Sequence, residues 1–396
     1  ESRGRKHLSI GEKMTIGING QEANNPYRVG VGQYAFELLS ELSKLASTKS
    51  QFEIYLSKPP LSDMPKGSSN WKYQIFGPEK KWTLLGLQNR LVQEKVRGFI
   101  PDVVFTPTHY TPLWVPTNSV ISIMDLSFET MPQFFKRSDL MQLKYWTKLS
   151  VAQAKKIITI SQFSKGEICR IYGIPTDKVT VTPLGYDKQR FTPVVNSQKS
   201  EITSVLRKYK VTGQYLLFLG TLQPKKNLTR LIEAFSQLRN DKIKLVVAGM
   251  IKEGRGGWMY KDIFNRVEEL HLKDRVIFTG YVDDSEVPYL FAGSLAYVLP
   301  SLYEGFGIPA VEAMALGKPV IVSNVASLGE VCGTGAIYIE NPYDTTSIRQ
   351  SLESFLQMSE SELETRVKFG LDWVKRYNWE DTAKKTLEVL YDASQR

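Results

Sequence analysis

The sequence predicts an α/β protein made of two parallel-sheet domains in series. Three observations carry that expectation. From Met14 onward, short apolar runs alternate with amphipathic helical stretches, the pattern of a mostly parallel sheet covered by helices on both faces. The alternation lapses once, over Thr192–Gln214, where Pro193, Asn196, Ser197, Ser200 and Gly213 gather, and then restarts. A chain of 396 residues also suits two domains or one large α/β unit.

Residues 1–13 are polar, basic and unpatterned, and are set aside as a leader or an appended tail. In the first domain, 14–195, strands are expected at Thr15–Asn19, Phe52–Leu56, Val103–Thr106, Val120–Met124, Ile157–Ile160 and Val179–Thr182. The first helix, Gln33–Ala46, carries Tyr34, Leu38, Leu39, Leu42 and Leu45 on one stripe. Further helices are read at Leu84–Gly98, Ser138–Ala154 and Gln162–Tyr172, the last stopped by Gly173. A linker is expected over 196–213. The second domain, 214–376, offers strands at Tyr215–Leu219, Lys244–Ala248, Val276–Thr279, Ala296–Pro300 and Val320–Ser323. Its helices fall at Asn227–Arg239, within Gly257–Leu270, at Pro309–Leu316 and at Ser359–Tyr377. Residues 377–396 hold a closing helix that starts at Trp379.

Composition narrows the function. With 42% hydrophobic and 23% charged residues, disorder, collagen and coiled coil are excluded. The two cysteines, Cys169 and Cys332, are far apart and lack metal-ligand spacing, which excludes a disulfide framework and a readable zinc site and fits a reducing compartment. No apolar run reaches the ~18 residues of a membrane span. The net charge of +10 is unevenly placed: residues 1–195 hold 26 Lys+Arg against 16 Asp+Glu, and the remainder hold 25 against 25. The first half therefore suits an acidic partner or surface, although ordinary solubility charge gives the same count. No nucleic-acid-binding motif is present, so no nucleic-acid partner is expected.

The most informative stretch is Pro300–Pro319, PSLYEGFGIPAVEAMALGKP. It starts at the carboxyl end of an expected strand, where open α/β sheets bind ligands. Gly305 and Gly307 allow close backbone approach, and Pro309 suits a first helical turn whose free amides attract an anion. Glu304 and Glu312 flank that turn eight residues apart; carboxylates are acceptors suited to paired sugar hydroxyls. Either glutamate alone reads as a dipole complement. The full spacing reads as a pocket for a phosphate with two polyols. A second stretch, GTLQPKKNL from Gly220, also follows a strand and opens a helix. Its Lys225 and Lys226 supply the cations that the first stretch lacks.

These two stretches resemble the retaining glycosyltransferases of family four, of GT-B fold. Supporting matches are Arg28–Tyr34 (RVGVGQY), Asp125–Phe128, Ile160–Ser164, Thr182–Asp187, Gly256–Tyr260 and Gly280–Val282. The resemblance spans about residues 14–392 and is nearest to the mannosyl- and rhamnosyltransferases of bacterial polysaccharide assembly. It implies two Rossmann-like domains facing a central cleft, with the C-terminal helix crossing back to the N-terminal domain. It also implies transfer of a hexosyl group from a nucleoside-diphosphate sugar, best guess mannosyl from GDP-mannose, to a glycan or lipid-linked acceptor hydroxyl. Retention and no cofactor or metal are implied too, with the leaving phosphate taking the acceptor's proton.

By the same resemblance, Glu304 holds a donor-sugar hydroxyl, the amides of Phe306, Gly307 and Ile308 hold donor phosphate, and Glu312 holds the ribose. Lys226, with Lys225, stabilises the leaving diphosphate. Gly220 and Thr221 line the donor; Gly30 and Gly32 approach donor and acceptor; Tyr281 and Val282 lie by the base, near the loop Gly257–Tyr260. Two positions depart from the family: Thr221 stands where an Arg is common, and Met124 stands where a His often precedes Asp125. Asp125 is then the candidate sugar contact, with His109, Met124 and Ser161 as further cleft candidates. The basic first half, with Lys80, Lys81, Arg137, Lys144 and Lys148 among aromatics, is expected to take the acceptor at an anionic membrane surface, cytoplasmic or peripheral on the inner face. A nucleotide-sugar epimerase, a phosphorylase-like enzyme and a non-catalytic sugar-nucleotide-binding protein remain as alternatives.

Overall fold

The computed structural model describes residues 13–193, 199–249 and 260–395. Within these, the chain forms two compact units: Lys13–Glu129 with Arg137–Gly185 and Trp379–Gln395, and Tyr186–Asn378 with Thr130–Lys136. The expected leader lies almost wholly outside the described residues.

The first unit holds β1 (Met14–Asn19), α1 (Val31–Lys44), β2 (Ser50–Leu56), β3 (Trp71–Ile75), a π-turn at Thr83–Leu87 running into α2 (Gln88–Arg97), β4 (Val103–Thr106) and β5 (Asn118–Ser122). After α3 (Ser127–Thr130), it continues with α4 (Arg137–Gln153), β6 (Lys156–Thr159), α5 (Gln162–Tyr172) and β7 (Val179–Val181). Its strands form a sheet of order β3-β2-β1-β4-β5-β6-β7, with every described pairing parallel. Ile16, Ile18, Val103, Phe105, Val120, Ile121, Ile157 and Ile158 are fully enclosed, as strands covered on both faces require.

The second unit begins with α6 (Lys199–Lys208) and β8 (Tyr215–Leu219), α7 (Leu228–Ser236), β9 (Lys244–Ala248), α8 (Tyr260–Glu269), β10 (Val276–Gly280) and α9 (Val287–Gly293). It goes on through β11 (Ala296–Leu299), α10 (Ile308–Ala315), β12 (Val320–Ser323), α11 (Leu328–Cys332), β13 (Ala336–Ile339), α12 (Thr345–Gln357) and α13 (Glu360–Val374). Its sheet has the order β10-β9-β8-β11-β12-β13, again parallel.

The last helix, α14 (Trp379–Ser394), belongs to the first unit. Ala383, Thr386, Leu390 and Ala393 are buried on it, Thr382 Oγ1 donates to Pro183 O at 2.6 Å, and the Trp379 ring lies 6.3 Å from that of Tyr34.

Two boundaries differ from the expected ones. The units divide at Gly185/Tyr186 rather than near 195, and within the expected linker residues 199–208 form α6. The polar cluster read as a boundary hides an amphipathic stripe. Ile202 and Leu206 reach Gly293 on α9, where an added Cβ would come within 3.4 and 3.2 Å of them.

Candidate active site

In each sheet the order of the strands reverses once, between β1 and β4 and between β8 and β11, while every strand stays parallel. Crevices at the carboxyl ends of strands beside such a reversal are where open α/β sheets hold ligands. In the second unit, the loops leaving β8 and β11 are the two stretches singled out by sequence, Gly220–Asn227 and Pro300–Gly307.

Backbone alone closes the strand ends on one side. Gly220 N donates to Ala248 O at 2.9 Å and Gly249 N to Gly280 O at 2.9 Å. A Cβ on Gly249 would sit 1.9 Å from Gly220 O, so no side chain fits there. Thr221 O then accepts from Gln223 N at 2.8 Å, and Pro224–Lys226 forms a single 3₁₀ turn.

The turn ends at Asn227, held in the left-handed region at φ 60°, which Asn tolerates better than most residues. Its buried amide donates to Pro300 O at 3.0 Å and to Pro342 O at 2.7 Å. Leu302 N donates to Lys225 O at 2.7 Å. The lysine turn is thus fastened to the glutamate loop through main-chain groups, which fixes the side chains that follow.

Those side chains meet. Lys226 Nζ contacts Glu304 Oε1 at 2.5 Å, with the two side chains 15% and 9% exposed. Ser301 Oγ donates to the same oxygen at 2.6 Å, and Ser327 Oγ donates to Glu304 O at 2.9 Å. Among the described residues both donors fall on Oε1 and none on Oε2. A carboxylate has about four lone-pair sites, so Glu304 retains acceptor capacity, and the lysine retains two of its three protons for another partner.

Gly307 precedes α10 at φ 92°, a conformation that favours glycine, and an added Cβ would lie 2.7 Å from Leu328 Cδ2. Pro309 occupies the first turn of the helix. Gly305 and Phe306 are buried, with the Phe306 ring 5.2 Å from Tyr377, while Ile308 is half-buried. Glu312 lies further along α10. Burial pushes its carboxyl up to about 8; Arg190 opposes the rise, and Asp284 and Asp187 add to it. Glu312 therefore keeps its proton to higher pH than an ordinary glutamate and can then donate as well as accept, where the sequence suggested an acceptor only. Tyr297, on β11, donates to Leu219 O at 3.1 Å. Its hydroxyl is pushed well up by burial and then by the charges of Glu304 and Glu312, so both carboxyls act on one strand.

Arg190 went unassigned in the sequence. It donates to Asp284 O and feels Glu312, and its signal was position alone, three residues after the Thr182–Asp187 match. Tyr281 is 54% exposed while Val282 is buried. Of the expected loop Gly257–Tyr260, residues 257–259 lie outside the described residues, and Tyr260 opens α8 instead of belonging to a loop.

The remaining candidates belong to the first unit. Gly30 caps α1 at φ 55° with open space around an added Cβ, so conformation rather than room calls for glycine. A Cβ on Gly32 would lie 3.2 Å from Glu22 O. The loop is braced by Arg28, which donates to Ala23 O at 2.6 Å and to both Asp63 oxygens at 2.5 and 2.9 Å, with its guanidinium 3.9 Å over the Phe36 ring. Asp125 Oδ1 accepts from Ser127 N at 3.0 Å and Ser127 Oγ at 2.8 Å. His109 follows β4; its Nε2 is buried with no hydrogen-bond partner among the described residues, and burial lowers its pKa to about 4, against the charge of Asp125. Its ring lies 4.1 Å from Tyr110 and 6.0 Å from Phe128. Met124 is half-buried, and its carbonyl accepts from Ser164 Oγ at 3.4 Å. Ser161 is fully buried, and its hydroxyl caps α5 by accepting from Ser164 N at 3.1 Å. That cap accounts for Ser161 without a ligand.

Among the described residues no group of three or more His, Cys, Asp or Glu is placed to hold a metal ion, and no helix is long and apolar enough to cross a membrane.

Residues 202–370 match the family model of the glycosyl transferases group 1. The chain is 28% identical over 374 residues to O-antigen chain mannosyltransferase B of Escherichia coli, covering 91% of this chain and 95% of that protein. It is 29% identical over 259 residues to O-antigen chain mannosyltransferase RfbU of Salmonella typhimurium, covering 65% and 66%. Among solved structures, sucrose-phosphate synthase from Thermosynechococcus elongatus superposes with a TM-score of 0.72 at 18% identity, over 96% of this chain and 99% of that one. The last likeness shows the fold: two parallel-sheet Rossmann-like domains of the GT-B type.

Proposed function

We propose a reaction on one premise: the chain is a glycosyltransferase, and its residues 202–370 belong to the group 1 family. The reaction is transfer of a mannosyl group from GDP-mannose to a hydroxyl of a glycan or lipid-linked acceptor in polysaccharide assembly, with retention at the anomeric carbon. The observation that carries it is the Lys226–Glu304 pair at the second sheet's reversal, with one carboxylate oxygen still open. The names of the relatives, which are mannosyltransferases of O-antigen chains, support the sugar.

In this reading Glu304 Oε2 takes a hydroxyl of the donor sugar. Lys226, aided by Lys225, turns part of its charge to the diphosphate, and the amides from Phe306 to Ile308 at the start of α10 hold the phosphate against a helix dipole. Glu312 holds the ribose hydroxyls, with Gly220 and Thr221 beneath the donor and Tyr281 and Val282 at the base. The bond from the anomeric carbon to the diphosphate oxygen breaks through an oxocarbenium-like state. The bond to the acceptor oxygen forms on the same face, and the acceptor's proton passes to the departing diphosphate. Charges fixed in place before the reaction stabilise the leaving group without reorganising, which is the work a divalent ion would otherwise do.

An assay offering GDP-mannose, UDP-glucose, ADP-glucose and dTDP-rhamnose with a mannosyl acceptor tests this. The expected result is transfer from GDP-mannose, an α-linked product by NMR, and a rate unchanged by EDTA. Transfer from another donor alone, an inverted product, or donor conversion without acceptor overturns it.

The acceptor side is assigned to the first unit at an anionic membrane surface. Met141 and Tyr145 are 69% and 71% exposed one turn apart on α4, among Arg137, Lys144 and Lys148, and Leu113 and Trp114 are also exposed. Flotation with vesicles containing anionic lipid should show salt-sensitive binding; absence of binding at low salt removes the assignment.

A further inference from the structure

A polar concavity lies in the first unit, lined by none of the residues assigned above. It is a cavity of about 360 Å³ between α2 and the face of the sheet formed by β1, β2 and β3. Its size falls within the range of small-ligand sites. The strand pattern builds its floor. Gln51, Glu53 and Tyr55 alternate along β2, and Tyr55 pairs in register with Gln74, so these side chains share one face. Opposite Glu53, β1 carries Gly17, where an added Cβ would lie 2.7 Å from the Tyr55 ring. The glycine is what lets that ring lie across the strand.

The wall is a continuous chain of hydrogen bonds. Gln51 Nε2 donates to Glu53 Oε1 at 3.0 Å, and Gln74 Nε2 to Glu53 Oε2 at 2.7 Å. Arg90 bridges Gln74 Oε1 at 3.3 Å and Glu94 Oε1 at 2.6 Å, and Tyr55 OH donates to Glu94 Oε2 at 2.8 Å. Tyr55 is in turn seated on an apolar cluster with Leu87, Leu91 and Val104. These groups are held in position before any ligand arrives, which lowers the cost of binding. Three further lining residues, Gln93, Arg97 and Phe99, take no part in the side-chain network and are exposed, Phe99 at 80%.

The chemistry selects a ligand class. The lining carries two carboxylates, Glu53 and Glu94, and two guanidiniums, Arg90 and Arg97, so its formal charge is zero. A phosphate or nucleotide would meet no net attraction. Planar amides, carboxylates and guanidiniums offer paired donors and acceptors that match vicinal hydroxyls, and an exposed aromatic ring offers a face for the C–H side of a pyranose. We propose that this groove is a second carbohydrate site, which holds a neutral oligosaccharide segment of the glycan acceptor remote from the transferring end. It rests on the reading above only in taking the acceptor to be a glycan.

The test uses the full chain and two rim variants, Arg97→Ala and Phe99→Ala, both outside the network that tethers α2. Binding of α-mannotetraose and of maltotetraose is measured by saturation-transfer NMR and calorimetry with no donor present. The wild type should bind at least one of them, and each variant should bind about tenfold more weakly at unchanged Tm. With a tetrasaccharide acceptor KM should rise by a similar factor at constant kcat, while with a monosaccharide acceptor both constants should hold. If GDP-mannose supports no transfer but the rim variants still lose oligosaccharide binding, the donor assignment fails and the groove stands. No binding by the wild type, equal binding by the variants, or an equal change with both acceptors overturns the proposal.

Discussion

The two sheets reverse their strand order in the same way, yet their reversal points are held by different physics. At β8/β11 the loops are locked to each other: Asn227 bonds two carbonyls, Leu302 bonds Lys225, and the Lys226–Glu304 pair is shielded from solvent. At β1/β4 the loop after β1 is braced by Arg28 on Asp63, whose side chain is 53% exposed, and His109 keeps a buried nitrogen with no hydrogen-bond partner among the described residues. In the first case the loops of the two strands at the reversal are bonded to each other, through Lys225, Lys226 and Asn227. In the second, the loop after β1 is tied instead to the loop after β2, by Arg28 on Asp63 and by Asn24 with Pro59 O and Leu61 N. Loops that constrain each other across a reversal leave a recognisable pattern in the chain, and the family match spans 202–370, within the second unit.

The largest effect should come from splitting the shielded pair. Glu304→Ala and Lys226→Ala are each expected to lower transfer by about 10³-fold or more and to cost roughly 3–5 kcal/mol, because the partner is left charged and enclosed. The double variant should be no less stable than either single one. Denaturant titration of all three, read as a double-mutant cycle, checks this; additive losses would mean that the pair does not act as a unit.

Glu312 comes next. Its folded pKa of about 8 lies above the ordinary 4.5, so its contribution is full below the ordinary value and is lost as pH rises through the folded one. The wild type should therefore lose stability between about pH 4.5 and 8, by an amount on the order of 5 kcal/mol. Glu312→Gln should flatten that slope, and donor affinity should change near pH 8 in the wild type alone. Thermal melts and GDP titrations across the range measure both, and parallel slopes for the two proteins would remove Glu312 as the source.

Asn227→Ala should cost about 2–3 kcal/mol, from two unpaired carbonyls and a left-handed backbone without a residue suited to it. Asn227→Gly keeps the backbone freedom and should recover part of the loss, which separates the two terms.

The same contrast explains what could be read from the chain. The buried strands β4, β8, β9 and β11 were legible because enclosure on both faces demands nearly unbroken apolar runs. The strand β3 was missed: Trp71–Ile75 alternates Trp-Lys-Tyr-Gln-Ile at a sheet edge, half polar, so it looks like loop. The helix α12 was missed although Asp344 caps it by accepting from Thr346 N at 2.8 Å. The strand β13 has four residues directly after the Gly333–Gly335 turn, too few for a period to emerge. At the site, the spacing of Glu304 and Glu312 was visible, but the raised pKa of Glu312 was not, because it depends on enclosure and on Arg190, Asp284 and Asp187 brought in from elsewhere in the unit.

The smallest expected effect tests the first reversal point. The Arg28 hydrogen bonds hold the Asp63 carboxyl below the usual range, so this ion pair adds stability above the ordinary carboxylate value and loses it in acid. Half-exposed pairs contribute about 0–1 kcal/mol, and in Asp63→Ala the guanidinium still reaches Ala23 O and the Phe36 ring. The variant should therefore lose under about 1 kcal/mol. That loss should shrink between about 0.05 and about 1 M salt as the Debye length falls, whereas the Lys226→Ala loss should persist, since shielded charges are screened far less. Equal salt sensitivity of the two losses would mean that the two reversal points are held alike, and the contrast drawn between them would fail.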